Sequence, residues 1–114
     1  MHEYDCVVLR VVDGDTIDVD IDLGFDVWLK KQRIRFYGVN TPETRTRDKE
    51  EKARGLVAKE YVIKHCPVGS RIRLRSHDRG KFGRILGEIV VGDTTLNKML
   101  VEDGHAEEYF GGKR

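Results

Sequence analysis

The sequence predicts an α+β, mainly β fold: an OB-like five-stranded Greek-key barrel with one long and one short helix. Five segments are rich in β-branched residues or alternate apolar with polar side chains, as strands do. A helical pattern lies between the third and fourth of these segments, which is the element order of an OB-type barrel. The chain has 114 residues and is 39% hydrophobic. This length and composition suit one domain over residues 1–114 with a single modest core.

Three predicted strands precede the helix. The first, over residues 5–12, is rich in β-branched residues, and a Gly-containing "DGD" interrupts it. The second, over residues 16–23, alternates apolar residues with aspartates, which predicts a half-buried strand with a solvated acidic face. The third runs roughly over residues 27–37. Two arginines of this strand, Arg33 and Arg35, face opposite to its apolar residues.

A helix is predicted from about Lys49 to His65. Asp48 and Glu51 resemble a capping box at its start, and Pro67 stops it. The helical spacing predicts a core-facing side. That side comprises Ala53, Leu56, Val57, Glu60 and Tyr61.

Two further strands and a short helix complete the pattern. The strands are predicted over residues 70–76 and 85–91, with the basic loop "HDRGKFGR" between them. The short helix follows, with Thr94 or Thr95 as its N-cap and Gly104 just past its end.

Charge is distributed unevenly along the chain. The net charge is only +1, yet residues 5–26 hold seven aspartates against one arginine, and residues 69–84 hold six lysines or arginines against one aspartate. These segments either neutralise each other or form a divided site that takes a cation at one end and phosphate at the other.

Other sequence features bound the cellular context. The two cysteines, Cys6 and Cys66, are too few for a disulfide scaffold, and two buried free thiols are expected. No apolar stretch approaches membrane-spanning length, and the first residues show no signal-peptide pattern. A cytoplasmic monomer without a membrane partner is therefore the expectation.

Three motifs could carry chemistry: "VVDGDT", "RFYGVNTPE" and "RGKFGR". Each alone is explained by ordinary loop structure, as a turn or bulge, a proline turn and a hairpin loop. Together they supply what hydrolysis of a phosphodiester needs. A carboxylate can hold a hard cation, a second carboxylate can act as the base, and arginines can stabilise the charge of the transition state.

In their order and spacing, "VVDGDT", "RIRFYGVNTPE", a helix and "KFGRILG" resemble the staphylococcal nuclease (thermonuclease) family. The resemblance covers about residues 5–110. It implies an OB-like barrel and a calcium-dependent hydrolysis of DNA and RNA that leaves 3′-phosphates. The C-terminal helix common in the family is expected to be absent.

The resemblance also implies roles for individual residues. Asp15, Asn40 and the backbone carbonyl of Thr41 match the positions that bind one Ca²⁺ ion. Arg35 and Arg84 match the two catalytic arginines.

Glu43 matches the carboxylate usually assigned as the general base. Lys81 and Phe82 fall where the family contacts a neighbouring phosphate. Tyr109 or Phe110 would supply the ring of the base pocket.

One departure from the family pattern bears on function. Asn40 stands where the family has an aspartate, and an amide oxygen ligates Ca²⁺ without bringing charge. Metal affinity should fall, unless Asp13 or Asp18 compensates. Asn40 therefore favours an alternative function, a catalytically weak or inactive OB module that binds nucleic acid or a protein partner. Arg35, Glu43 and Arg84 favour the enzyme, and a purely structural domain must treat three ordered motifs as coincidence.

Overall fold

A barrel of five long strands forms the body of the computed structural model, which describes residues 2–79 and 83–110. The strands are β1 (Glu3–Asp13), β2 (Thr16–Asp22), β3 (Trp28–Phe36), β4 (Val39–Asn40), β5 (Arg71–Arg79), β6 (Ile85–Val91), β7 (Thr94–Thr95) and β8 (Glu107–Glu108). The helices are α1 (Lys49–His65) and α2 (Leu96–Glu102).

Strand pairing closes the barrel. β1 is antiparallel to both β2 and β5, β2 is antiparallel to β3, and β5 is antiparallel to β6. A parallel pairing between β3 and β6 then joins the two ends of the sheet. This arrangement confirms the predicted OB-like five-stranded barrel with one long and one short helix. Closure also leaves these long strands without a free edge between β3 and β6.

The core lies inside the barrel and under the two helices. Alternation along β2 buries Ile17, Val19 and Ile21, as the sequence pattern predicts. Both cysteines are buried and free, which confirms the expected thiols. Burial raises the pKa of Cys6 and of Cys66 from an ordinary value of 9.0 to about 12. They behave as small apolar side chains of the core.

The predicted core-facing side of α1 is wrong except at Tyr61, which is partly buried and packs against the core. The helix instead buries Gly55, Ala58 and Val62, while Leu56 and Val57 are 45% and 53% exposed. Small residues explain the difference, because α1 approaches the turn between β1 and β2 very closely. A Cβ atom added at Gly14 in that turn would lie 2.8 Å from the Cβ of Ala58. A pattern weighted toward large apolar residues therefore selects the wrong side of the helix.

The helix starts are as predicted. The Asp48 side chain caps α1 by accepting hydrogen bonds from the backbone N–H groups of Glu50 and Glu51. The Thr95 hydroxyl caps α2 by accepting from the N–H of Lys98 at 3.2 Å. No helix in residues 2–79 or 83–110 is long and apolar enough to cross a membrane.

Acidic and basic side chains of neighbouring strands pair on the outer face of the barrel. Asp18 of β2 receives two hydrogen bonds from Arg33 of β3, at 2.9 and 3.1 Å. Glu3 of β1 pairs with Arg73 and Arg75 of β5 at 3.3 and 3.2 Å. One pair joins the acidic segment 5–26 to the basic segment 69–84, since Nη2 of Arg73 lies 3.4 Å from Oδ1 of Asp5. Other charged residues of the two segments converge elsewhere.

Candidate active site

A cavity of about 460 Å³ opens at one end of the barrel. Its wall contains six of the sequence-predicted site residues: Asp15, Arg35, Asn40, Thr41, Glu43 and Arg84. Tyr109, the predicted base-pocket ring, also lines it. These positions range from Asp15 to Tyr109 along the chain, so the fold, and not local sequence, brings them together. We call this cavity the cleft.

Strand register explains how the cleft residues meet. Thr16 pairs with Arg35 between β2 and β3, which puts the preceding Asp15 beside the end of β3. The N–H of Phe36 donates to the carbonyl of Asp15 at 2.8 Å and fixes that junction. The parallel pairing of Ile34 with Ile85 brings Arg84, the residue before β6, to the same end of the barrel.

The Asp15 carboxylate is held in place by neutral donors. The Thr16 hydroxyl donates to Oδ1 at 2.9 Å, and the backbone N–H of Thr41 donates to Oδ2 at 3.2 Å. Nη1 of Arg35 lies 3.6 Å from Oδ2, an ion-pair distance beyond that of a good hydrogen bond. The Asp15 side chain is only 13% exposed, so its charge acts in a partly desolvated place.

The Arg35 guanidinium is oriented by neutral oxygens. Nη1 donates to the carbonyls of Phe36 at 3.0 Å and Val39 at 2.8 Å. Nη2 lies 3.4 Å from the amide oxygen of Asn40. These acceptors restrict the rotamers of Arg35 without cancelling its charge by a carboxylate hydrogen bond. A guanidinium held in this way is preorganised for a phosphate oxygen.

The donor set predicted for a metal consists of oxygen atoms. Asp15 supplies a carboxylate, Asn40 an amide oxygen and Thr41 a backbone carbonyl, which is the chemistry that Ca²⁺ prefers. The buried Thr41 hydroxyl adds a further oxygen, for which the described residues provide no hydrogen-bond partner. The set fits a hard cation in ligand type and carries little charge. Consistently, no group of three or more His, Cys, Asp or Glu side chains in residues 2–79 and 83–110 could hold a metal.

The two aspartates expected to compensate for Asn40 differ in position. Asp13 lines the cleft, where its carboxylate accepts a hydrogen bond from the Thr44 hydroxyl. Asp18 points to the outer face and pairs with Arg33, so the structure excludes it as a ligand in the cleft. The reason is position along the strands, since Asp13 lies at the end of β1 beside the turn, whereas Asp18 lies farther along β2, opposite Arg33.

Glu43 lies on the loop that follows β4. Its side chain is exposed at the cleft, and its backbone N–H donates to Oε2 of Glu51 in α1 at 3.1 Å. The same loop is tied to the β1–β2 turn through Thr41 and Thr44. Glu43 therefore presents a carboxylate to the cleft from a loop that is held by hydrogen bonds both to α1 and to the β1–β2 turn.

A second cavity, of about 500 Å³, adjoins the cleft and shares Arg35, Arg84 and Tyr109 with it. Its aromatic wall includes Phe110, an expected ring, and also Tyr37 and His77.

The Tyr37 ring centroid lies 4.0 Å from that of His77 and 5.6 Å from that of Phe110. Sequence reasoning missed Tyr37 and His77. The signal for Tyr37 was present, because residues two apart in a strand point to the same side and Arg35 was already a candidate.

Tyr109 and Phe110 reach the two cavities through backbone contacts that the sequence did not indicate. The N–H of Tyr109 donates to the carbonyl of Gly38 at 2.9 Å, and β8 pairs with β4 just before it. Gly38 has a φ of 78°, and a Cβ added there would lie 2.8 Å from the Phe110 ring. The predicted phosphate contacts Lys81 and Phe82 lie outside the described residues and stay predictions.

Comparison with known proteins addresses family membership directly. A family model described as staphylococcal nuclease homologue matches residues 33–114. The chain belongs to this family. The match confirms the resemblance noted in the sequence and includes most of the cleft, from Arg35 to Arg84.

Individual relatives carry nuclease names. The chain is 37% identical over 107 residues to the Thermonuclease of Staphylococcus intermedius, covering 91% of this chain and 59% of that protein. It is 32% identical over 111 residues to the Thermonuclease of Staphylococcus hyicus, covering 96% and 62%. A third relative is Endonuclease YhcR of Bacillus subtilis (strain 168), at 32% identity over 116 residues, 95% of this chain and 9% of that protein. The chain thus spans less than two thirds of the length of each of these relatives.

Proposed function

We propose that this protein is a metal-dependent, sugar-nonspecific nuclease that hydrolyses phosphodiester bonds of DNA and RNA. The observation that carries the proposal is the convergence of a carboxylate, an exposed glutamate and two arginines on one cleft. Membership of the staphylococcal nuclease homologue family supports it. The names of the relatives, thermonuclease and endonuclease, agree with it.

The two arginines would bind the scissile phosphate. Arg35 and Arg84 would each donate to phosphate oxygens and stabilise the additional negative charge of the pentacoordinate transition state. Because Arg35 is already oriented by backbone carbonyls, little rotamer freedom is lost when the phosphate enters.

Glu43 would act on the attacking water. Its carboxylate orients the water or removes its proton as the water displaces the 5′-oxygen of the phosphodiester. The cleavage leaves a 3′-phosphate. The exposed position of Glu43 at the cleft allows a water molecule to reach its carboxylate.

We propose Ca²⁺ as the cofactor, held by Asp15, Asn40 and the Thr41 carbonyl. When bound, the ion would act as a Lewis acid that withdraws negative charge from the phosphate. The hydrogen bonds to the Asp15 carboxylate from Thr16 and Thr41 would keep it oriented for this role. The aromatic residues of the adjoining cavity, Tyr109 among them, would receive a base of the nucleic acid.

Digestion assays test the proposal. Single-stranded DNA, double-stranded DNA and RNA are incubated with Ca²⁺, with a chelator, and with the Glu43→Gln variant. Cleavage should stop in chelator and fall on the order of 10²–10⁴ in the variant. Glu50→Gln, at an exposed carboxylate in the first turn of α1, is the matched control and should cleave normally. The mechanism is wrong if chelator and Glu43→Gln both leave cleavage unchanged.

Asn40 supports one alternative function, a module that binds nucleic acid or a protein partner without cleaving. The amide leaves Asp15 as the only carboxylate in the proposed ligand set, and a pure binder needs no strong metal site. Tight binding of DNA without turnover at millimolar Ca²⁺ would favour this alternative. A steep loss of binding with salt would then attribute the affinity to arginine and lysine contacts with phosphate.

A further inference from the structure

The loop that carries Glu43 has no regular secondary structure between β4 and the N-cap of α1. Arg35 lies in β3, and the carbonyl of Asp15, in the turn between β1 and β2, accepts from the N–H of Phe36 in β3, whereas Glu43 lies in neither a strand nor a helix. A catalytic carboxylate displaced by about 1 Å can lose on the order of 10²-fold in rate. Hydrogen bonds of Thr41 and Thr44 hold the loop to the β1–β2 turn on either side of Glu43, and a further contact holds the Glu43 backbone itself.

The contact comes from the first turns of α1. The backbone N–H of Glu43 donates to Oε2 of Glu51 at 3.1 Å, a charge-assisted hydrogen bond. One turn later, Gly55 packs under the same peptide. A Cβ added at Gly55 would lie 2.7 Å from the carbonyl oxygens of both Pro42 and Glu43. Glu51 and Gly55 are four residues apart, so they form one side of the helix that faces the loop.

Glu51 is available for this contact because it does not complete a capping box. In a capping box the Glu51 carboxylate would return to the backbone N–H of the N-cap Asp48. That N–H instead donates to the Thr46 hydroxyl at 3.2 Å. The Asp48 side chain still caps the helix. The carboxylate of Glu51 is thus directed to Glu43 and not to its own helix terminus.

Glu51 stands behind the loop and not in the cleft. It lines a separate cavity together with Asn40, Thr41 and Pro42, on the side of the loop toward α1. It is absent from the residues that line the cleft. Its hydrogen bond to a cleft residue is the one to the Glu43 backbone N–H.

We propose that Glu51 is a positioning residue for Glu43, which it holds at the cleft by accepting the hydrogen bond of the Glu43 backbone N–H. This inference rests on the proposed function, because it assigns Glu51 a purpose in the same reaction. Gly55 also contributes to this positioning, because only a residue without a Cβ atom lets α1 approach the Glu43 loop this closely.

Three variants separate positioning from other roles of Glu51. Glu51→Ala removes the acceptor, and kcat for DNA cleavage should fall about 10- to 100-fold with KM changed less than about threefold. Glu51→Gln keeps an oxygen that accepts from an N–H, and should restore kcat to within about threefold of the unsubstituted protein. Glu50→Ala removes a neighbouring charge from the same helix turn and should change neither parameter by more than about twofold.

A second measurement does not depend on catalysis. Hydrogen exchange of backbone amides by NMR should show faster exchange at Glu43 and Thr44 in Glu51→Ala than in Glu50→Ala, with exchange in β2 and β3 unchanged. A urea titration of each variant shows whether the barrel is intact.

Each outcome decides something. A kcat for Glu51→Ala within about twofold of the unsubstituted protein overturns the inference. So does a Glu51→Gln variant as slow as Glu51→Ala, because charge and not the hydrogen bond would then matter. If the unsubstituted protein cleaves no nucleic acid, the proposed function fails, and the catalytic role of Glu51 fails with it. Unchanged exchange at Glu43 in Glu51→Ala overturns the backbone contact, whether or not the protein cleaves.

Discussion

Two aspartate–arginine pairs, one between β2 and β3 and one between the turn before β2 and β3, have different hydrogen bonds. On the outer face, Arg33 gives both arms of its fork to Asp18 at 2.9 and 3.1 Å, and Asp18 raises the pKa of Arg33. In the cleft, Arg35 lies 3.6 Å from Asp15 and gives its hydrogen bonds to carbonyl and amide oxygens instead.

The difference separates a structural arginine from one that can act on a ligand. Arg33 already donates two hydrogen bonds to the Asp18 carboxylate, so it has fewer donors for an incoming anion. Arg35 has its direction set by neutral groups and keeps its charge for a phosphate. Exposure shows the same contrast, because the Arg33 side chain is 47% exposed and the Arg35 side chain 15%. The less solvated charge interacts more strongly with an anion that enters the cleft.

The largest expected effect is the loss of kcat in Arg35→Ala, with Arg33→Ala as its control. Arg35→Ala should lower kcat for DNA cleavage on the order of 10²–10³, because a preorganised donor to the transition state is lost. Arg33→Ala removes the same charge two residues earlier in β3, where Arg33 pairs with Asp18 outside the cleft, and should change kcat by less than about twofold. Initial rates of digestion in Ca²⁺ measure both. Equal losses in the two variants would mean that net charge, and not placement, governs activity.

The next effect concerns the charge of the proposed metal site. Asn40→Asp adds a second carboxylate to a set that has one, so Ca²⁺ binding should tighten about tenfold, or about 1.4 kcal/mol. Gln32→Glu adds the same charge in β3 outside the cleft and is the control. Calorimetric titration with Ca²⁺ compares the two. Tightening of equal size in both variants would assign the effect to net charge and would remove Asn40 from the ligand set.

The smallest expected effect is on stability at low pH, through the ion pairs on the outer face of the barrel. Hydrogen bonds from Arg75 and Arg73 lower the pKa of Glu3, and the backbone N–H of Lys31 followed by Lys30 lowers the pKa of Asp20. Because the folded pKa values lie below the ordinary values of 4.5 and 3.8, the resulting stability is present at neutral pH. It is lost as the pH falls through those values and through the lower folded pKa values.

Urea midpoints measured from neutral pH down to about pH 3 check this dependence. The double variant Glu3→Gln, Asp20→Asn should flatten it, and it should leave cleavage at neutral pH unchanged. The effect should be modest, because solvent screens these exposed pairs and they contribute little to stability. An acid transition identical in the two proteins would show that these carboxylates do not set it.

Much of the fold could be predicted from the sequence, since local patterns determine it. Alternation along β2 and the capping residues Asp48 and Thr95 act within a few residues, and the structure agrees with each. The burial of α1 depends instead on contact between Gly14 and Ala58, which are far apart in the chain. Helical periodicity contains no information about such a contact, so the predicted side of the helix was wrong.

The residues of the candidate site could be predicted from the sequence, but the hydrogen bonds that hold them could not. The resemblance to a nuclease family named Asp15, Arg35, Glu43 and Arg84, and the structure brings them to one cleft. The use of Glu51 could not be predicted, because its sequence context has the spacing of a capping box. The catalytic and metal-binding roles of the cleft residues stay predictions. So do the Ca²⁺ cofactor, a monomeric state and a cytoplasmic location.

The central claim is that the cleft, with Arg35 oriented inside it, binds the phosphate of a nucleic acid. Calorimetric titration of a nucleoside 3′,5′-bisphosphate in the presence of Ca²⁺ tests it most directly, with the unsubstituted protein, Arg35→Ala and Arg33→Ala side by side. We expect Arg35→Ala to weaken binding about 10- to 100-fold, or roughly 1.4–2.7 kcal/mol, and Arg33→Ala to bind like the unsubstituted protein. Equal affinities for all three proteins, or no binding by the unsubstituted one, would contradict the claim.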